Sequence, residues 1–286
     1  MTTYKLRILS LGAGVQSSTL LLMAEKGIIE PFHCAIFADT GWESHATYQW
    51  LEWLKSVCTT PIITVSNGNI FNHSMEANFR ESRRTSENGT SSCGLSLPAY
   101  IATEGSRNGL IKRQCTQNFK IDPIRRETRR LLGLVPRQRA PQGAVDQCVG
   151  ISLDEAQRVR ISRERMTFLS YPLVDLGMTR HDCTNWLARN GYPIPPKSAC
   201  VGCPFHSNSE WREVMKSPVE WKQAVELDNR IRVIDGFRGN LFLHRKCKPL
   251  EEVDFSTPEE RGQGAFDFVK DEKLNLFVNN LSIAVT

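Results

Sequence analysis

A turn of small residues, Gly12-Ala13-Gly14-Val15-Gln16-Ser17-Ser18-Thr19, follows directly on the apolar run Tyr4 to Leu11 and precedes Leu20-Leu21-Leu22-Met23-Ala24. A strand, a small-residue loop and a helix expected from Leu20 make an anion site. Backbone N–H groups can approach a phosphate, hydroxyls add donors, and the helix dipole favours negative charge. The loop has no Gly-Lys-Ser/Thr ending, so the lysine of a Walker-type loop is absent. Ser17 stands where a dinucleotide fingerprint would place its third glycine.

A second constellation is Ser198-Ala199-Cys200-Val201-Gly202-Cys203-Pro204-Phe205-His206. Two cysteines separated by two residues in a Gly/Pro-bounded loop can direct both thiolates at one metal centre. Cys115 stands in a basic, polar setting, unlike a core cysteine. Cys34, Cys58, Cys148 and Cys183 fall in apolar runs or helices and read as buried small hydrophobes. Cys93, Cys247 and His206 remain open. Cys115, Cys200 and Cys203 suit a [4Fe-4S] cluster with one iron free of protein; His206 or Cys247 added to them would complete a zinc site instead. Spacing does not choose between the two. Cys247 lies in His244-Arg245-Lys246-Cys247-Lys248, where cationic neighbours are expected to lower its pKa.

The elements that must position these residues alternate. Phe32 to Ala38 reads as a strand ending at Asp39-Thr40-Gly41, His45 to Val57 as a helix, and Pro61 to Val65 as a third strand. This βαβαβ order predicts an α/β fold, a parallel twisted sheet with helices on both faces and ligands at the carboxyl ends of its strands. Ile121 to Leu134 reads as a helix with a basic outer face and Val145 to Ile151 as a strand. Ser152 with Glu155 three residues on reads as a serine-capped helix start. Thr179 to Asn190 and the Trp211 and Trp221 segments read as helices. Two parts are expected: a nucleotide-binding and cysteine-site domain over 1–206 and a mainly helical carboxyl-terminal extension over 207–286.

The chain has 286 residues, 40% hydrophobic and 23% charged, as in ordinary globular proteins. No apolar run approaches a membrane span and no leader pattern opens the sequence. A cytoplasmic protein is expected, its nine cysteines serving as thiols or metal ligands. The net charge of +5 is unevenly spread, with nine basic residues between Lys112 and Arg139 against Asp122 and Glu127. Arg158, Arg160, Arg163 and Arg165 form a second cluster, and Arg80, Arg83 and Arg84 a third. Such an imbalance points to a polyanion, either nucleic acid or the phosphates of a nucleotide.

The loop Gly12 to Ser17 resembles the PP-loop of the adenine nucleotide alpha-hydrolase superfamily, Ser-Gly-Gly-x-Asp-Ser, with Gly12 in place of the first serine (Ser10 is close by) and Gln16 in place of the acid. Further segments resemble its phosphoadenosine phosphosulfate (PAPS) reductase-like branch. They are Asp39-Thr40-Gly41-Trp42-Glu43, Cys115-Thr116 with Phe119-Lys120-Ile121 and Pro123, Gly150 to Glu155 with Arg158, Tyr171 to Asp175, and Cys200 to Phe205. The resemblance implies an adenine nucleotide, ATP or PAPS, with Mg²⁺ as a candidate companion. Ser10, Gly12, Gly14, Gln16, Ser17 and Ser18 would grip it, with Asp39, Thr40 and Gly41 near its nucleoside. Lys120, Glu155 and Arg158 would be catalytic, and Arg125 a further phosphate contact. It also favours the iron–sulfur assignment for Cys115, Cys200 and Cys203.

The carboxyl-terminal cysteine that attacks sulfate in sulfonucleotide reductases has no counterpart, since Cys247 is the last cysteine. The resemblance to other members of the superfamily, which pair such a loop with an iron–sulfur centre and thiolate nucleic acids, implies instead ATP-dependent adenylation of an oxygen followed by its replacement with sulfur. The acceptor would be a nucleic acid held by 112–139 and 158–165; the sulfur donor stays unassigned. The alternatives are a PAPS- or APS-dependent oxidoreductase and a non-catalytic nucleotide or nucleic-acid binder, the latter suggested by Gln16.

Overall fold

In a computed structural model of the chain, residues 4–76, 95–102, 109–234, 239–257 and 260–261 are described. Cys93, the Arg80, Arg83 and Arg84 cluster and the polar 83–92 stretch lie outside them. A five-stranded parallel sheet forms the centre, built from β1 (Leu6–Leu11), β2 (Cys34–Asp39), β3 (Ile62–Ser66), β6 (Val145–Val149) and β7 (Thr167–Ser170) in the order β3-β2-β1-β6-β7. The apolar run Cys34–Asp39 suits a strand covered on both faces.

On one face Leu9, Leu11, Ala35, Phe37 and Cys148 pack against α1 (Val15–Glu25), α2 (His45–Val57) and α6 (Arg180–Arg189). On the other, Leu6, Ile8, Ile36 and Val145 meet Ile124 of α4 (Asp122–Leu131). The expected parallel sheet with helices on both faces is present. Because β1 is followed by β2 on one side and lies beside β6 on the other, the chain diverges between β1 and β6. In open α/β sheets the carboxyl ends of the strands at such a divergence are where a ligand crevice forms.

Several boundaries differ from the sequence reading. Helix α1 starts at Val15, not Leu20, because Gly14 takes the extended N-cap conformation, so Gln16, Ser17 and Ser18 occupy its first turn. Leu153–Arg158 forms a 3-10 helix without a side-chain cap, since the Ser152 hydroxyl accepts instead from Gln16 Nε2 at 3.4 Å. A π-helical turn, Thr116–Ile121, leads directly into α4. Thr179, by contrast, caps α6 with a full capping box through Asp182.

Short helices α3 (Ile70–Met75) and α5 (Pro172–Asp175) lie among these elements, and α7 (Asn208–Met215) and α8 (Pro218–Arg230) follow. A three-stranded antiparallel sheet, unforeseen in the sequence, pairs β4 (Tyr100–Ala102) with β5 (Gly109–Leu110) and β8 (Asn240–Phe242). One apolar cluster unites Trp42, Ile70 and Phe119 with Trp211, Leu227 and Leu241. No helix among the described residues is long and apolar enough to cross a membrane.

Candidate functional site

The glycine loop leaves β1 through Gly12 and Ala13, and Ala13 takes a left-handed backbone (φ 55°) that an L-residue adopts at a cost of roughly 1–2 kcal/mol. The Ser17 hydroxyl accepts from the Gly12 amide at 3.1 Å and lies 3.4 Å from the Gly14 carbonyl, closing the loop on itself. Among the described residues no side chain caps α1, so its first-turn N–H groups have no side-chain acceptor. Ser18 is fully buried and accepts from Trp50 Nε1 at 2.9 Å. Ser10 lies within β1, its hydroxyl accepting from Gln147 Nε2 at 2.7 Å.

The loop after β6 meets this one at the crevice. Gly150 stands so close that a Cβ there would meet the Gln16–Ser17 backbone. The Gln16 amide is held at both ends: Nε2 donates to Ser152 Oγ (3.4 Å) and Glu155 Oε2 (3.3 Å), and Oε1 accepts from Arg180 Nη1 (2.7 Å). Glu155 also pairs with Arg158 at 2.7 Å. The structure thus brings together Gly12, Gly14, Gln16, Ser17, Glu155 and Arg158.

A second cluster lies past β2. Asp39 Oδ1 accepts from the Gly41 amide (2.7 Å) and the Tyr48 hydroxyl (2.8 Å). Burial, and then the bond to Asp39, push the Tyr48 hydroxyl pKa up. Gly41 turns the chain with φ +70°, and an added Cβ would lie 2.9 Å from Asn69 Cα. Thr40 Oγ1 then donates to Glu43 Oε1 at 3.0 Å and lies 3.2 Å from Cys200 Sγ. Cys200 reaches the same carboxylate oxygen at 3.6 Å, and Lys120 Nζ approaches it at 3.4 Å. Glu43 is buried, and its Oε2 has no partner among the described residues. A backbone bridge from Glu43 to Cys200 ties the two segments together.

Burial, reinforced by Glu43, pushes the Cys200 thiol well above its ordinary range, and burial also raises Cys203. Burial depresses Lys120, but Glu43 and Cys200 outweigh it and the net shift is upward. The cysteine loop reaches the glycine loop at Ser198, whose Cβ would lie 3.8 Å from one added to Gly14.

Cys115 packs against the apolar cluster that includes Cys200, and Cys203 follows three residues on in the same loop. As a metal centre the set does not fit as it stands. Among the described residues no three His, Cys, Asp or Glu side chains are grouped to hold an ion, and Cys200 is engaged as a hydrogen-bonded thiol. His206 spends Nε2 on the carbonyls of Cys200 (3.0 Å) and Val201 (3.2 Å), fastening the loop.

Other thiols depart from the sequence reading. Cys34, Cys148 and Cys183 are buried as expected, but Cys58 is only partly so. Burial raises the Cys247 pKa rather than letting its cationic neighbours lower it. The basic helix face is also more balanced than its composition implied. Arg125 pairs with Asp122 (3.1 Å) and Glu164 (3.3 Å), and Arg130 with Glu127 (2.6 Å).

No family model and no curated protein matches the chain. Among solved structures it is similar to a phosphoadenylyl-sulfate (PAPS) reductase from Candida auris in a phosphate complex. The two share 13% identity over 68% of this chain and 76% of that chain, with a TM-score of 0.41. A likeness at this level says nothing of the reaction.

Sequence reasoning passed over two residues as site members. Glu43 was visible only as part of a motif, because nothing in the sequence shows that it is buried against Cys200. Arg180 did leave a signal: it is a cation in the first turn of a helix, where the dipole disfavours positive charge.

Proposed function

We propose that the chain is a PP-loop-type, ATP-using transferase that activates an acceptor oxygen by adenylation and exchanges it for sulfur. What supports the nucleotide part is the meeting of Gly12 to Ser17 with Gly150 to Glu155 at the point where the sheet order diverges, between β1 and β6. Parallel sheets bind ligands in that crevice, and an uncapped helix N-terminus there receives phosphate.

In this reading Gly12, Gly14 and the first turn of α1 hold the phosphates. The acceptor oxygen attacks the α-phosphorus, the bond to the bridging β-phosphate oxygen breaks, and pyrophosphate leaves. A hydrosulfide-level donor then adds at the activated carbon, and AMP departs with the oxygen. Glu155 fixes Gln16 and Arg158 beside the phosphates. Lys120 carries positive charge to the Thr40, Glu43 and Cys200 cluster, where the incoming group would lie.

The iron–sulfur assignment rests on the sequence resemblance, and no step is drawn through a metal. A nucleic-acid acceptor rests on basic side chains between 112 and 139 that have no carboxylate partner among the described residues, Arg126 and Arg129 among them. Cys247, with its raised pKa, gives the sulfonucleotide-reductase alternative no support.

The test is calorimetric titration of the purified chain with ATP and PAPS, followed by assay of AMP and pyrophosphate release with RNA or DNA and sulfide. ATP binding with acceptor-dependent pyrophosphate release is expected. Binding of PAPS alone, or of neither nucleotide, would sink the reading.

A further inference from the structure

We propose that Arg180 is the cation that receives the terminal phosphates of the bound nucleotide, an assignment that rests on the nucleotide reading above. The glycine loop has no lysine of its own, so charge for a polyphosphate must come from another element. Arg180 supplies it from the first turn of α6, its Nη1 donating to Gln16 Oε1 at 2.7 Å beside the N-terminus of α1. The root of the side chain is anchored, since the Arg180 amide donates to Asp154 Oδ1 at 2.9 Å.

The kind of partner matters. Arg125, Arg130 and Arg158 each sit against a carboxylate. Among the described residues no carboxylate lies within ion-pair distance of the Arg180 guanidinium, and its acceptor is a neutral amide. Gln16, only 8% exposed, is itself pinned by Ser152 and Glu155. It therefore aims the guanidinium without neutralising it. An acid at position 16 would cancel that charge and oppose Glu155 at hydrogen-bond distance. Glutamine at this place leaves the Arg180 guanidinium without an ion-pair partner at the loop, with Asp154 acting on it only from beyond ion-pair distance. The ligand class that uses it is a di- or triphosphate chain, or free pyrophosphate, through charge-assisted hydrogen bonds.

The experiment titrates ATP, AMP and inorganic pyrophosphate into the full-length chain and its Arg180→Ala and Arg180→Lys variants, with thermal melts alongside. Arg180→Ala is expected to weaken ATP and pyrophosphate about tenfold or more and AMP less than about twofold; Arg180→Lys should recover part of the loss. Unchanged ATP affinity in Arg180→Ala overturns the assignment while leaving the nucleotide site standing. Equal losses for all three ligands overturn it too, because they mark a distorted loop. If the unmodified chain binds none of the three, the nucleotide reading falls and this inference with it.

Discussion

Gly150 stands against the backbone of Ser17, where a Cβ would lie 2.8 Å from the Ser17 nitrogen and 3.0 Å from its Cα. The three nearest atoms are all backbone, so no side-chain rotation relieves them. Gly150→Ala is expected to push the β6 loop off the glycine loop. It should cost about 1–3 kcal/mol of stability, as overpacking does, and weaken ATP binding in the same variant. Unchanged melting and unchanged titration together would show that the two loops are not locked.

Glu43 is the hub of the second cluster, and Glu43→Gln removes the charge facing Lys120. With the lysine side chain 34% exposed, solvent softens the loss, and a destabilisation of about 1–3 kcal/mol is expected in urea titrations at pH 7. The folded-state pKa of Lys120 lies above 10.5, so the pair contributes fully below that pH and fades as pH rises through the higher folded value. Stability of the unmodified protein should therefore fall more steeply above pH 10.5 than that of Glu43→Gln.

His244 is held neutral. Its Nδ1 accepts from the Lys246 amide at 3.2 Å, and Nε2 faces Asn208 Oδ1 at 3.3 Å. Burial, then Arg245 and Lys246, push its pKa to about 4. The unfolded chain takes up a proton from about pH 6.5 downward while the folded one resists, so stability is lost as pH falls from there towards about 4. His206, also depressed by burial, adds to the same slope. Urea midpoints between pH 7 and pH 4 should decline less in His244→Asn; an identical decline would remove His244 from the account.

Cys200, protonated and bonded to Thr40 and Glu43, should react with iodoacetamide at pH 8 at least about tenfold more slowly in the native chain than in urea, since the thiolate is the nucleophile. Mass spectrometry of the labelled peptide reads the rate. Iron and sulfide retained by anaerobically purified protein, and lost in both Cys115→Ala and Cys200→Ala, would overturn this hydrogen-bonded arrangement in favour of a cluster.

The sheet was legible because its signals are local. Cys34–Asp39 is apolar without alternation, and His45–Val57 buries Trp50, Leu51 and Leu54 at helical spacing. Gly12 and Gly14 announced their loop by composition. Less visible was where side chains spend their hydrogen bonds. Ser152 and Glu155 looked like a cap, yet Gln16, 136 residues away from Ser152, claims that serine. Asp39 is expected beside a nucleoside, and nothing in the sequence shows that its Oδ1 already accepts from Gly41 and Tyr48. The short strands β4, β5 and β8 carry too few residues for any periodicity to register.

The π-helical turn Thr116–Ile121 holds one more residue than an α-helical path through the same space would. Deleting one residue from it would let α4 run on unbroken, but would swing everything before the cut by about 100° around the axis. Cys115 and the residues ahead of it would then turn away from Lys120 and Glu43. For that stretch, length is a fixed quantity: amino acids there can be exchanged more safely than they can be counted differently.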